Sequence, residues 1–120
     1  MPKAILVVMA NSRPGSEEEF NRWYDEVHLA DVRKIPGFVA ARRFMASPHQ
    51  LPGSEPPGYR YLTLWEIEAD DLAEPLAAMA DAVGTPDMPI SDAMVLVGQG
   101  AARTVLFEPV AQPSAQVGER

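Results

Sequence analysis

The chain has 120 residues, 47% of them hydrophobic and 22% charged, enough for one domain with its own core and too few for two. A formal charge of −7 and a pI near 4.7 exclude the basic footprint that nucleic acid or an anionic membrane requires. There is no cysteine, which rules out disulfides, thiolate nucleophiles and zinc–thiolate sites.

Ala4 to Ala10 is a continuous apolar run rich in β-branched residues, closed by Asn11-Ser12-Arg13-Pro14-Gly15. It is far shorter than the ~20 residues that cross a bilayer. It also lacks a signal-type cleavage region, so it reads as a strand buried on both faces in a cytoplasmic protein. Ser16 and Glu19 fit a capping box that starts a helix, with Glu17 and Glu18 adding negative charge at its positive end. Phe20, Trp23, Tyr24, Val27 and Ile35 then recur at the spacing of one helix face, until Pro36-Gly37 ends it.

Phe38 to Ala46 is the second strand. A loop over 47–58 follows, with four prolines and two glycines, long enough to cross or rim an opening. Tyr59 to Glu68 alternates: Tyr59, Tyr61, Thr63, Trp65 and Ile67 share one face, Leu62 and Leu64 lie on the other. Asp70 or Asp71 caps a second helix from Leu72 to about Val83, with the stripe Leu72, Leu76, Met79, Ala80 and Val83. Met94 to Val97 and Arg103 to Phe107 are strand-like, around Gly98-Gln99-Gly100. Residues 1–108 form the single domain, and 109–120 read as a disordered tail.

The order β-α-β-β-α-β implies an α+β fold: the ferredoxin-like, antiparallel split βαβ with both helices on one face. Two helices cover only one face of such a sheet, yet the first and third strands are apolar on both. The uncovered face calls for a second copy, so the expected assembly is a homodimer whose sheets face each other in an α+β barrel.

Several stretches resemble the EthD-like family of dimeric α+β barrel proteins. They are Phe20-Asn21-x-Trp23-Tyr24-Asp25-Glu26-x-His28-Leu29, Ile35-Pro36-Gly37-Phe38, Ala41-Arg42-Arg43-Phe44 and the aromatic strand Tyr61-Leu62-Thr63-Leu64-Trp65-Glu66. Ala30 departs from the pattern, which has proline after His-Leu, so the helix is expected to run further here. The resemblance implies a small-molecule pocket between sheet and helices. Relatives include cofactor-independent monooxygenases, muconolactone isomerase-like enzymes and polyketide cyclases such as olivetolic acid cyclase, and some members bind haem.

On an ideal helical wheel at about 100° per residue, His28 lies about 80° from Phe20, at the edge of the apolar arc, and Asp31 lies about 20° from it. A neutral His28 there suits a general base, with Tyr24 one turn away as its polar partner and Asp31 holding its tautomer. The bland alternatives are a helix-end hydrogen bond for His28 and a cap or Lys34 pair for Asp31. Tyr61, Trp65 and Trp23 are the substrate-binding candidates, with core or dimer packing the first role for Tyr61 and Trp65. Arg42 and Arg43 point to opposite faces, and His49 belongs to the solvated loop. No metal-ligand spacing is present, and the only plausible axial ligand for a haem is His28. The expected function is a cofactor-free enzyme doing acid–base chemistry on an apolar, carbonyl-bearing or polyketide-like substrate, as a cyclase, isomerase, dehydratase or aldol-type catalyst. The alternatives are a non-catalytic barrel for a hydrophobic small molecule or haem, and a cofactor-independent monooxygenase.

Overall fold

Strand β1 (Lys3–Ala10) is the second strand from one edge of a four-stranded antiparallel sheet, in a computed structural model that describes residues 2–110. It pairs with β3 (Tyr61–Glu68) on one side and β4 (Arg103–Phe107) on the other, and β2 (Phe38–Met45) pairs with β3, so the order is β2-β3-β1-β4. The helices are α1 (Glu17–Trp23), a π-helical turn (Tyr24–His28) and α2 (Leu29–Arg33), which run on as one rod, and α3 (Ala73–Ala82). This is the ferredoxin-like βαββαβ fold.

One face of the sheet is packed and one is open. Leu6, Phe38, Trp65 and Ile67 meet Val32 of the first helical rod, Ile35 in the bend after it and Met88 of the 83–94 segment, with Leu76 and Met79 of α3 against them. A second cluster lies at the other end: Ala10, Phe20, Tyr24, Tyr61, Ala93 and Met94. The opposite face of β1 is not covered in the protomer, and Ile5 there is 36% exposed. A hollow of about 460 Å³ runs over that face, lined by Ile5, Arg42, Phe44, Leu64 and Phe107 among others. The apolar run of β1 is therefore buried on one face only within a single chain.

Several expectations need correcting. Ser16 makes no side-chain cap hydrogen bond, so the capping box does not form; its backbone carbonyl instead accepts from Phe20 N–H at 2.9 Å. Met94 to Val97 is not a strand, because only Met94 forms an isolated bridge, to Ser12. Ala80 of α3 and Val83, just past its end, face solvent, and Ala82 takes the inner position. Asp71, rather than Asp70, supplies the helix-start acceptor, its Oδ1 taking Ala73 N–H at 2.9 Å. The tail expected at 109–120 lies, from residue 111 on, outside the described residues.

The Pro36-Gly37 break does turn the chain from helix into β2. Gly37 sits at φ +106°, where L side chains are strained, and a Cβ there would stand 3.1 Å from Pro75 of α3. The 47–58 loop rims a smaller hollow of about 220 Å³, to which Gln50 and Pro57 contribute beside Phe44 and Tyr59.

Candidate active site

The π-helical turn decides where the candidate residues point. An extra residue in one turn rotates everything after it by about 100° relative to an uninterrupted α-helix. His28 and Val32 thereby swing into line with Phe20 and Tyr24, and all four are buried. Val27, expected on the inner face, is pushed outward to 38% exposure, and Asp31 moves from the middle of the stripe toward its side. The helix continues through Arg33, in keeping with Ala30 in place of proline.

The imidazole of His28 is only 6% exposed. Trp23 stacks on it at 4.7 Å and 24°, and Tyr24 meets it edge-on at 5.1 Å and 83°. A Trp23–His28 stack at five residues' separation is what a π turn permits and a regular α-helix does not. Trp23 is tied in turn to the 83–94 segment, its indole N–H donating to the Pro89 carbonyl at 3.2 Å. Burial lowers the His28 pKa to about 4, against an opposing pull from the Asp31 carboxylate. The ring is neutral at physiological pH, and its buried Nδ1 has no hydrogen-bond partner among the described residues.

Tyr24 continues the cluster. Burial raises its pKa above the ordinary 10, while a hydrogen bond with Thr63 and the charge of Arg43 act the other way. Arg43 enters from β2 with its guanidinium 4.4 Å from the Tyr24 ring. Its Nη1 donates to Asp25 Oδ1 and its Nη2 to Asn21 Oδ1, both at 2.9 Å. Asn21 also donates to the Tyr61 hydroxyl at 3.3 Å. The result is a box of aromatic rings holding one neutral imidazole, two phenols and one guanidinium.

No family model matches the sequence, and a search of curated proteins finds no relative. The backbone, however, superposes on solved structures. An EthD-like protein from Ralstonia eutropha JMP134 matches with a TM-score of 0.59 at 14% identity, covering 96% of this chain and 98% of that one. A dimeric ferredoxin-like protein from Jannaschia sp. CCS1 gives 0.61 at 15% identity, over 88% of this chain and 98% of its own. The chain has a ferredoxin-like fold. The haem degrader MhuD from Mycobacterium tuberculosis, solved with two haems in its active site, shares it at a TM-score of 0.53 and 18% identity, over 91% of this chain and 97% of its own. Identities this low establish the fold and leave the chemistry to the residues.

Within this fold, His28, Tyr24 and Trp23 come together in direct contact. Asp31 stands close enough to His28 to act on its charge, and also pairs with Lys34 at 3.8 Å. Tyr61 joins through Phe20, 4.9 Å away, and lines the 220 Å³ hollow. Trp65 stands apart, fully buried in the other cluster against Phe38. His49 is exposed in its loop. Of the two arginines expected on opposite faces, Arg43 is the one that packs inward, and it pairs with Asp25 at 2.9 Å. The legible signal was register: Ala41, Arg43 and Met45 pair with Trp65, Thr63 and Tyr61, and the last three alternate toward the helices.

Deleting Val27 should convert the π turn to regular α-helix while keeping Phe20, Tyr24, the histidine and Val32 on one stripe. Urea unfolding is expected to stay cooperative, within about 1 kcal/mol of the parent. Tryptophan emission should shift as the Trp23–His28 stack is lost. An unfolded deletion variant would show that the extra residue is needed for packing rather than for aiming His28.

Proposed function

We propose that the protein is a small-molecule enzyme that moves a proton at carbon next to a carbonyl, with His28 as the base. The observation that carries this reading is the buried, neutral imidazole whose Nδ1 has no partner in the aromatic box. A buried polar atom left unpaired costs about 1–3 kcal/mol, and such a cost is usually kept where a ligand supplies the partner. In the reaction Nδ1 takes the proton, and the electron pair of the broken C–H bond moves onto the carbonyl oxygen. Tyr24, kept protonated by its burial, donates a hydrogen bond to that oxygen. A pKa near 4 leaves the lone pair free but makes the ring a weak base in the closed site. Asp31 and the negative charge growing on the substrate both act to raise it as the proton arrives.

Cyclase, isomerase, dehydratase and aldol-type reactions all begin with this step. Neither the 460 Å³ nor the 220 Å³ hollow is lined by His28 or Tyr24, so substrate enters when Trp23 and the 83–94 segment move. A haem, by analogy with MhuD, would use His28 as its axial ligand. In this conformation the site does not accommodate a porphyrin: Trp23 covers one face of the ring, and little of it reaches solvent. A homodimer formed through the open sheet face completes the reading. Light scattering should give about twice the 13.1 kDa chain mass.

The test is solvent exchange. In D₂O the protein should speed the loss of α-proton NMR signal from an aryl ketone such as acetophenone, and His28→Gln should remove the acceleration. Equal rates for the two proteins would sink the assignment. A haem-induced visible band that disappears in His28→Ala would transfer the site to haem binding.

A further inference from the structure

Arg43 is the charged member of the aromatic box, and proton transfer at His28 does not use it. Its guanidinium is held as a rigid fork. Nη1 and Nη2 are each committed, at 2.9 Å, to Asp25 and Asn21 on the first helical rod. The rings of Tyr24, Phe20 and Tyr61 lie 4.4, 5.6 and 5.6 Å from its Cζ. Nε, the remaining nitrogen, is buried and has no acceptor among the described residues.

A helix-to-strand clip would account for the two committed nitrogens. It does not account for the third, a charge-bearing donor facing aromatic walls. Asp25 is 58% exposed, so water screens its countercharge at the rim, while the Nε edge is dry. His28 and Arg43 both contact the ring of Tyr24, and each carries one buried polar atom without a partner among the described residues. A neutral imidazole adds no second charge. The box therefore offers flat apolar walls, one cation and one fixed charged donor, a combination that matches a planar ring bearing a single negative group.

We propose that Arg43 is the specificity-determining residue of this site, and that it selects aromatic monoanions, of which a ring carboxylate is the simplest. This rests on the reading of the box as a ligand site. At physiological salt the repulsion between the chain's net charge of −7 and an approaching anion is largely screened beyond about 8 Å. Inside that distance Arg43 dominates.

The experiment compares benzoate with benzamide, its neutral isostere, by following the Trp23 indole N–H in ¹H–¹⁵N spectra. Wild type should bind benzoate saturably and at least about tenfold more tightly than benzamide, the worth of one charge-assisted hydrogen bond. Arg43→Met should bring that ratio near one. Arg43→Lys, which keeps the charge without the fork and guards against misfolding of the first variant, should lose most of the preference. Asp25→Asn, by removing the competing carboxylate, should tighten benzoate binding several-fold. Equal binding of the two probes, no saturable benzoate shift, or full preference retained in Arg43→Lys would each overturn the proposal. The ratio is read at equilibrium without turnover. A failed exchange experiment therefore leaves it standing, and its own failure leaves the role of His28 to be judged by exchange.

Discussion

Trp65→Ala is expected to cost about 3–5 kcal/mol, most of the margin of an ordinary domain, and to leave the chain largely unfolded at 37 °C. Trp65 is fully buried at the middle of β3, with Leu6 and Ala41 as its register partners on either side. Phe38 meets its ring edge-on at 5.5 Å, and Val32, Ile67 and Met88 close the cluster around it. Truncation would open a cavity touching both neighbouring strands and the helical layer. Trp65→Phe should be far milder, because the indole N–H it removes is itself buried without a partner. Urea titration of the three proteins checks the order. If Trp65→Ala kept its midpoint and lost only ligand binding, Trp65 would be a pocket wall and the packing account would be wrong.

The same residue shows what could be read from the chain and what could not. The alternation through Tyr61, Thr63, Trp65 and Ile67 put Trp65 on a buried face without any structure, since a strand offers only two faces. The Pro-Gly break and the element order likewise led to the ferredoxin-like topology. The helix was harder. A wheel assumes uniform winding, and one π turn shifts every later residue by about 100°, which is enough to exchange Val27 for His28 at the inner face. A trace of this is present in the sequence: Phe20, Tyr24, His28 and Val32 recur every four residues. In a regular α-helix that spacing drifts about 40° per step, so holding all four inside requires underwinding. Met88 left no trace of this kind. It is 1% exposed in an irregular segment, and it is buried because Gly84 N–H bonds the Met88 carbonyl and Trp23 holds Pro89. One of these bonds is local and the other spans 66 positions, and neither has a periodicity to detect.

The open face of the sheet carries the second link from packing to function. Ile5, Phe44 and Phe107 are exposed around the 460 Å³ hollow, on the side away from His28. A second copy covering that face would stiffen β1 and β2, from which Arg43 reaches into the box. The helical layer, with the Trp23–Pro89 hydrogen bond, would stay free to open. Assembly and access would thus use opposite faces of one sheet.

Stability should fall as pH drops from about 6.5 to about 4, by on the order of 3 kcal/mol from His28 alone. The sign follows from where the proton is bound. Unfolding exposes the imidazole and returns its pKa to 6.5, whereas burial in the folded chain holds it near 4. Between those values the unfolded chain takes up a proton that the folded chain refuses. His28 therefore contributes its full stability above pH 6.5, loses it progressively across the window, and loses no more below pH 4. Urea midpoints at pH 7 and pH 4.5, compared between wild type and His28→Gln, isolate this share from the carboxylates common to both. Asp31→Asn should steepen the loss, because the Asp31 charge is what opposes the downward shift. A wild-type pH dependence no greater than that of His28→Gln would mean that the imidazole is hydrated in the folded state. The neutral, waiting base would then have to be abandoned along with it.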